Sequence, residues 1–103
     1  MGETLQTIRE RRSVKSYKPD MVPEEIVQKI VEAGTWAPSG MGRQSAIIVA
    51  VTNKELRDRL SRMNAKIMGT DMDPFYGAPV VLIVLADKTV PTHVYDGALV
   101  MEN

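Results

Sequence analysis

The sequence predicts a small layered fold of mixed helix and strand, α/β or α+β. Three observations carry that prediction. The chain has 103 residues, which is one small domain or a piece of a larger one, with room for a single core. Its composition, 44% hydrophobic and 25% charged, is that of a globular chain and excludes a disordered tail or a collagen-like repeat. Apolar residues recur at helical spacing in some stretches and in strand-like runs in others, and the two kinds of stretch alternate along the chain.

The elements follow in order. Leu5 and Ile8, set among polar residues, predict a short helix ending near Arg11. Ser13-Val14-Lys15-Ser16-Tyr17 alternates polar and apolar, as a half-buried strand does. Pro23, with Glu24 and Glu25 behind it, starts a second helix. Ile26, Ile30 and Ala33 form its apolar stripe, Val27 and Val31 widen it, and Gly34 and Pro38 close it. After a loop at Pro38-Ser39-Gly40-Met41-Gly42, the run from Ala46 to Val51 predicts a strand. Thr52-Asn53-Lys54-Glu55 fits a capping box and opens a third helix. Leu56, Leu60, Met63 and Ile67 share one face of it, Arg57, Asp58, Arg59, Arg62 and Lys66 lie mostly on the others, and Gly69 caps its end. Val80 to Leu85 predicts a strand buried on both faces. Beyond Pro91 a last helix carries Val94, Ala98 and Met101 as its apolar face. The order is α-β-α-β-α-β-α.

Charge and residue counts narrow the function classes. Thirteen basic and thirteen acidic residues cancel, so the broad basic footprint of a nucleic-acid binder is missing. Residues 1–68 nevertheless hold twelve Lys/Arg against eight Asp/Glu, which leaves room for a compact site for a small anion. No cysteine is present, so disulfides and thiolate chemistry are excluded, and a single histidine, His93, rules out a multi-histidine metal site within one chain. The longest apolar run, Ala78 to Ala86, is too short to cross a bilayer. The first residues lack a basic stretch followed by an apolar one, so no signal peptide and a cytosolic location are expected.

Two segments could carry chemistry. Arg11-Arg12-Ser13 places two guanidinium groups and a hydroxyl at a helix-to-strand junction, a set that can surround a phosphate with bidentate, charge-assisted bonds. Basic residues at a helix end also simply complement its dipole. Lys15 falls on the same side of an extended strand as Ser13. In Pro38-Ser39-Gly40-Met41-Gly42-Arg43-Gln44, two glycines allow close backbone approach while Ser39, Arg43 and Gln44 offer polar contacts; an ordinary helix-to-strand connection would look the same. Neither a phosphate-loop nor a GxGxxG pattern is present. Trp36 suits core packing better than ligand stacking. Asp71 and Asp73 are a poor start to a calcium loop because Pro74 interrupts it. No nucleophilic triad can be assembled.

Five pieces in order resemble the flavin-dependent nitroreductase family. They are Ile8 to Tyr17, Val22 to Ile26, Ala33 to Gly40, Gly77 to Val81, and Tyr95 to Asn103, the last similar to the start of the family's long central helix. The resemblance implies a single nitroreductase-like α+β domain over residues 1–103, lacking the family's C-terminal part. It implies an intertwined homodimer with one FMN at each of two subunit interfaces. Arg11, Arg12 and Ser13 would hold the phosphate and ribityl end, and Lys15 would lie near the pyrimidine edge of the flavin. Pro38, Ser39 and Gly40, with Gly42 and Gln44 beyond them, match the loop that approaches FMN from the other subunit. Gly42 stands where many members carry asparagine, and Ser45-Ala46 where they carry Pro-Trp. The implied activity is transfer of electrons from NAD(P)H through the flavin to a nitroaromatic, a quinone or a similar acceptor. The chemistry would then rest on the flavin, with no catalytic side chain, no metal, and neither nucleic acid nor membrane as partner. A non-catalytic flavin- or phosphate-binding half-domain is the alternative.

Overall fold

The computed structural model describes residues 2–103. Its elements are α1 (Gly2–Glu10), α2 (Glu24–Thr35), β1 (Ala46–Val51), α3 (Lys54–Met68), β2 (Val81–Ala86) and α4 (His93–Glu102), with one 3-10 turn at Gly40–Gly42 ahead of β1. The two apolar, β-branched runs pair antiparallel, from Ala46 opposite Ala86 to Val51 opposite Val81. Because the pair is antiparallel, α3 between them is not the crossover of a parallel βαβ unit, and the fold is α+β.

α2 and α4 lie against this sheet. A Cβ added to Gly34 would fall 2.7 Å from Ile48 Cδ1 and 3.3 Å from Val100 Cγ1. Gly34 therefore lies inside α2, where its missing side chain lets helix, strand and α4 approach one another. Gly97 does the same more loosely for α4, facing Ala86 and Val84. Among the described residues, the buried hydrophobic side chains are Val27, Val51 and Ala65 alone. The Cα radius of gyration is 15.3 Å, against about 13 Å for a compact domain of this length.

Several expectations meet a different structure. Residues 13–17 form no strand: their backbone makes one bond to a neighbouring segment, Tyr17 N–H to the Tyr76 carbonyl at 3.3 Å. A strand needs a ladder partner, and the sheet pairs β1 with β2 alone, its outer edges taking up no part of residues 13–17. The strand near residue 80 starts one residue later than expected and is not buried on both faces, since Leu82 and Leu85 are exposed. α3 is turned around: Arg57, Ser61 and Ala65 are its buried residues, while Leu56, Met63 and Ile67 face outward, Ile67 at 85% exposure. Asn53, not Thr52, caps α3, its Oδ1 accepting from Leu56 N–H at 2.9 Å. Gly69 ends α3 in the left-handed conformation, φ 73°, as expected. α4 packs through Asp96 and Val100, leaving Val94, Ala98 and Met101 exposed. Trp36 is 78% exposed and is no part of the core.

Candidate functional site

The loop between α2 and β1 is built around one carboxylate. Asp96, in the first turn of α4, is 2% exposed and is the most deeply buried large side chain among the described residues. Gly40 N–H donates to its Oδ1 at 2.9 Å, and Ser45 Oγ and Thr92 Oγ1 donate to its Oδ2 at 2.6 and 3.0 Å. Gly40 and Ser45 are the two ends of the loop, so a single side chain fastens both. The hydroxyl of Ser45, the Gly40 amide and then Thr92, with His93 nearby, hold the Asp96 carboxyl below its usual range against the effect of burial.

Between those ends the backbone is strained. Met41, Gly42 and Gln44 have φ of 54°, 69° and 50°, a left-handed region that costs side-chain-bearing residues roughly 1–2 kcal/mol each. Gln44 N–H donates to Ser39 Oγ at 2.9 Å and closes the loop on itself. Gly40 has a different reason to be glycine: a Cβ there would lie 2.7 Å from Thr92 Cβ and nearer still to its hydroxyl. Beside the loop lies a cleft of about 480 Å³ whose walls include Pro38, Ser39, Gln44, Ile48, Asp96 and Val100. Met41 stands at the loop's apex, exposed with Gly42 and Arg43.

The arginine arm is elsewhere. Arg11, Arg12, Ser13 and Lys15 are all exposed, and none of them lines the cleft beside the loop. Arg12 Nη1 donates to the carbonyls of Arg9 and Arg11, each at 2.8 Å, and so caps the open end of α1. Arg11 sits 3.7 Å from Glu102 in a water-exposed pair. Such a pair is worth about 0–1 kcal/mol and leaves the guanidinium available to a stronger anion. One chain thus presents the two candidate segments separately.

A second carboxylate, Asp73, weighed above only as a poor calcium ligand, fixes the far end of the arm. Asp73 pairs with the Arg57 guanidinium and accepts from Ser61 Oγ at 2.7 Å and from the Phe75 and Gly77 amides at 3.0 and 2.8 Å. Burial works to raise its pKa, but these donors outweigh it and hold the carboxyl well below the usual range. Arg57 Nε donates to the Ala78 carbonyl at 2.7 Å and its guanidinium lies 5.4 Å from the Phe75 ring centroid. The turn so gripped contains Tyr76, φ 53°, whose carbonyl receives the Tyr17 amide. Asp96 and Asp73 carry no spacing signal; the available hint is at Asp96 alone, a lone acid next to Gly97 in an otherwise apolar helix, whereas Asp73 stands between Met72 and Pro74 in a loop. Among the described residues, no group of three or more His, Cys, Asp or Glu could hold a metal, and no helix is long and apolar enough to cross a membrane.

The structure therefore belongs to the class of two-layer α+β chains that display a basic arm and a strained, glycine-bearing loop as separate surfaces. The model of the nitroreductase family matches residues 8–70, and the chain belongs to that family. The FMN reductase [NAD(P)H] of Bacillus subtilis is 30% identical over 84% of this chain, and an NADH dehydrogenase of Thermus thermophilus is 35% identical over 75% of it. The chain spans 33% and 35% of the length of those two relatives. A nitroreductase with bound FMN from Desulfitobacterium hafniense is similar at a TM-score of 0.87, with 33% identity, over 99% of this chain and 62% of that one. One from Bacteroides fragilis, also with bound FMN, gives 0.87 and 29%, over 97% and 60%. The nitroreductase fold is shared over nearly the whole chain.

Proposed function

We propose that the chain is an FMN-dependent oxidoreductase of nitroreductase type, with the flavin held between two copies. Arg11, Arg12, Ser13 and Lys15 of one copy would meet Pro38, Ser39, Gly40, Gly42 and Gln44 of the other. The observation that carries this reading is the separation of arm and loop: the arm is exposed, the loop is exposed at Pro38, Gly42 and Gln44 and half-buried at Ser39 and Gly40, and the arm does not reach the cleft beside the loop of its own chain. A second copy supplies the missing half.

The residues fit such a ligand by their chemistry. Arg11 has only a weak, solvated partner to give up, and with Arg12 and Ser13 it offers the bidentate donors a phosphate takes. A Cβ at Gly42 would meet nothing within 4 Å, so the backbone there is open to a flat ring. Lys15 would place positive charge at the pyrimidine edge, where negative charge develops on reduction. Bound FMN supplies the electron-transfer chemistry, and the protein supplies binding, orientation and electrostatics. NAD(P)H would be the donor, a nitroaromatic or quinone the acceptor, and the cytosol the place where both are met.

The test mixes the purified chain with FMN, NADPH and a nitroaromatic acceptor and follows NADPH consumption. Turnover that requires both chain and FMN is expected. Flavin binding without turnover would favour the half-domain alternative, and no flavin binding would overturn the reading.

A further inference from the structure

We propose that Asp96 is the positioning residue of the flavin-facing loop, holding residues 40–45 in their bound-ready shape without touching the ligand. The inference rests on the reading of that loop as a flavin-contacting one, but its geometric part stands alone. Three features of the structure carry it.

The first is the pattern of bonds. Asp96 accepts from Gly40 at the start of the loop and from Ser45 at its end, using one oxygen for each. The loop thus becomes a closed ring whose clasp lies on a different helix. The second is the strain enclosed by that clasp. Met41 and Gln44 hold left-handed φ values as non-glycine residues, a conformation that persists only where surrounding structure over-determines it. Gln44 N–H to Ser39 Oγ is a cross-link inside the loop; the ties out of the loop are Asp96, on α4, and the Ser45 carbonyl, which receives Asp87 N–H, just past the end of β2, at 2.8 Å. The third is the kind of donor. A buried carboxylate held by an amide and two hydroxyls, without an Arg or Lys hydrogen-bonded to it, has its geometry set entirely by where those donors stand. Any shift of Gly40 or Ser45 leaves the charge under-solvated, so the clasp resists loosening.

The clasp also explains Gly40 and Thr92 as a pair. Thr92 donates to Asp96 and packs where a Gly40 side chain would be. Gly40 N–H therefore reaches the carboxylate directly, and the loop backbone is drawn down onto the start of α4.

The test reads the loop twice, once without flavin and once with it. Arg43 lies in the exposed loop, so tryptic cleavage after Arg43 in the apo chain reports its opening. Asp96→Ala and Asp96→Asn are compared with wild type and with Asn53→Ala, which removes the α3 cap far from the loop and serves as the matched loss of stability. Asp96→Asn keeps the acceptor for Gly40 and provides the variant that folds if Asp96→Ala does not. Cleavage after Arg43 should rise at least tenfold in Asp96→Asn, and further in Asp96→Ala where it folds, with little change in Asn53→Ala. Flavin titration should then show FMN and riboflavin weakened by the same factor, at least tenfold, because the loop faces the ring and not the phosphate. Cleavage rates equal in Asp96→Asn and Asn53→Ala would overturn the proposal. Faster cleavage with unchanged flavin affinity would overturn its flavin-facing part and leave the clasp standing. Wild type binding no flavin at all would fell the reading of the site, a separate result visible in the first titration.

Discussion

At the scale of single residues, charge-bearing side chains in this chain do one of two jobs: they wait at the surface or they tie backbone together. Arg11 waits. If it holds the FMN phosphate, Arg11→Ala should weaken FMN by about 1.5–3 kcal/mol, the range for hydrogen bonds to charged groups. Riboflavin, which lacks the phosphate, should bind the variant and wild type alike. Titration of both ligands checks this, and equal losses would remove Arg11 from the phosphate site. Gly40 is the tightest steric point of the loop. Gly40→Ala should cost about 1–3 kcal/mol by overpacking, read from the urea midpoint. Thr92→Ala should rescue it only in part, because the Thr92 Cβ itself is 2.7 Å from the new methyl. The basic pair and the two-glycine loop were legible because their chemistry is written in adjacent residues. Asp96 and Asp73 were not, since each gathers partners 12 to 56 positions away in sequence and no local pattern encodes that.

At the scale of elements, periodicity told which residues share a face and not which face is covered. The apolar stripe Leu56, Leu60, Met63 and Ile67 is real, yet α3 is anchored in this chain by Arg57, Ser61 and Ala65, because the polar pair on that side meets Asp73. The same holds for α4, whose apolar face is exposed while Asp96 is buried. Residues 13–17 keep the alternation of a strand, and Val14 and Tyr17 line an apolar cleft with Phe75 and Val80, but the segment pairs with neither open edge of the sheet. Two predictions belong here. Asn53→Ala should destabilise the chain by about 1 kcal/mol, while Thr52→Ala should be close to neutral; the reverse order in thermal melts would restore Thr52 as the cap. Asp73 has a folded pKa below its unfolded one, so the unfolded state takes up the proton first. The stability it contributes is complete above about pH 4–5 and drains away as pH falls further. Urea midpoints measured from neutral to acid pH should therefore decline below that window. Asp73→Asn should be less stable at neutral pH and show a shallower acid decline, and an unchanged decline would contradict the assignment.

At the scale of the whole molecule, the apolar surface is out of proportion to the core. Leu56, Met63 and Ile67 on α3, Val94 and Met101 on α4, and Ile47 and Leu85 on the sheet are all exposed, an extent that calls for cover by further protein. A mixed fold of helix and strand, and the order of the helices and the last two strands, could be read from spacing, since strands and amphipathic helices leave short-range signatures. Spacing left α/β and α+β both open, and the family resemblance pointed to α+β. The extent of exposure could not be read, because covering a face depends on atoms far off in sequence or on another chain. The proposed function joins these facts: two copies would cover part of this surface and, in doing so, bring the arm of one to the loop of the other. Sedimentation velocity of the chain with FMN, recorded at the flavin's visible band and in the protein ultraviolet, tests it most directly. The account predicts that the flavin absorbance travels with a dimer at one FMN per chain, and that Arg11→Ala leaves the dimer in place but releases the flavin. Flavin travelling with a monomer, or a dimer that carries none, would contradict it.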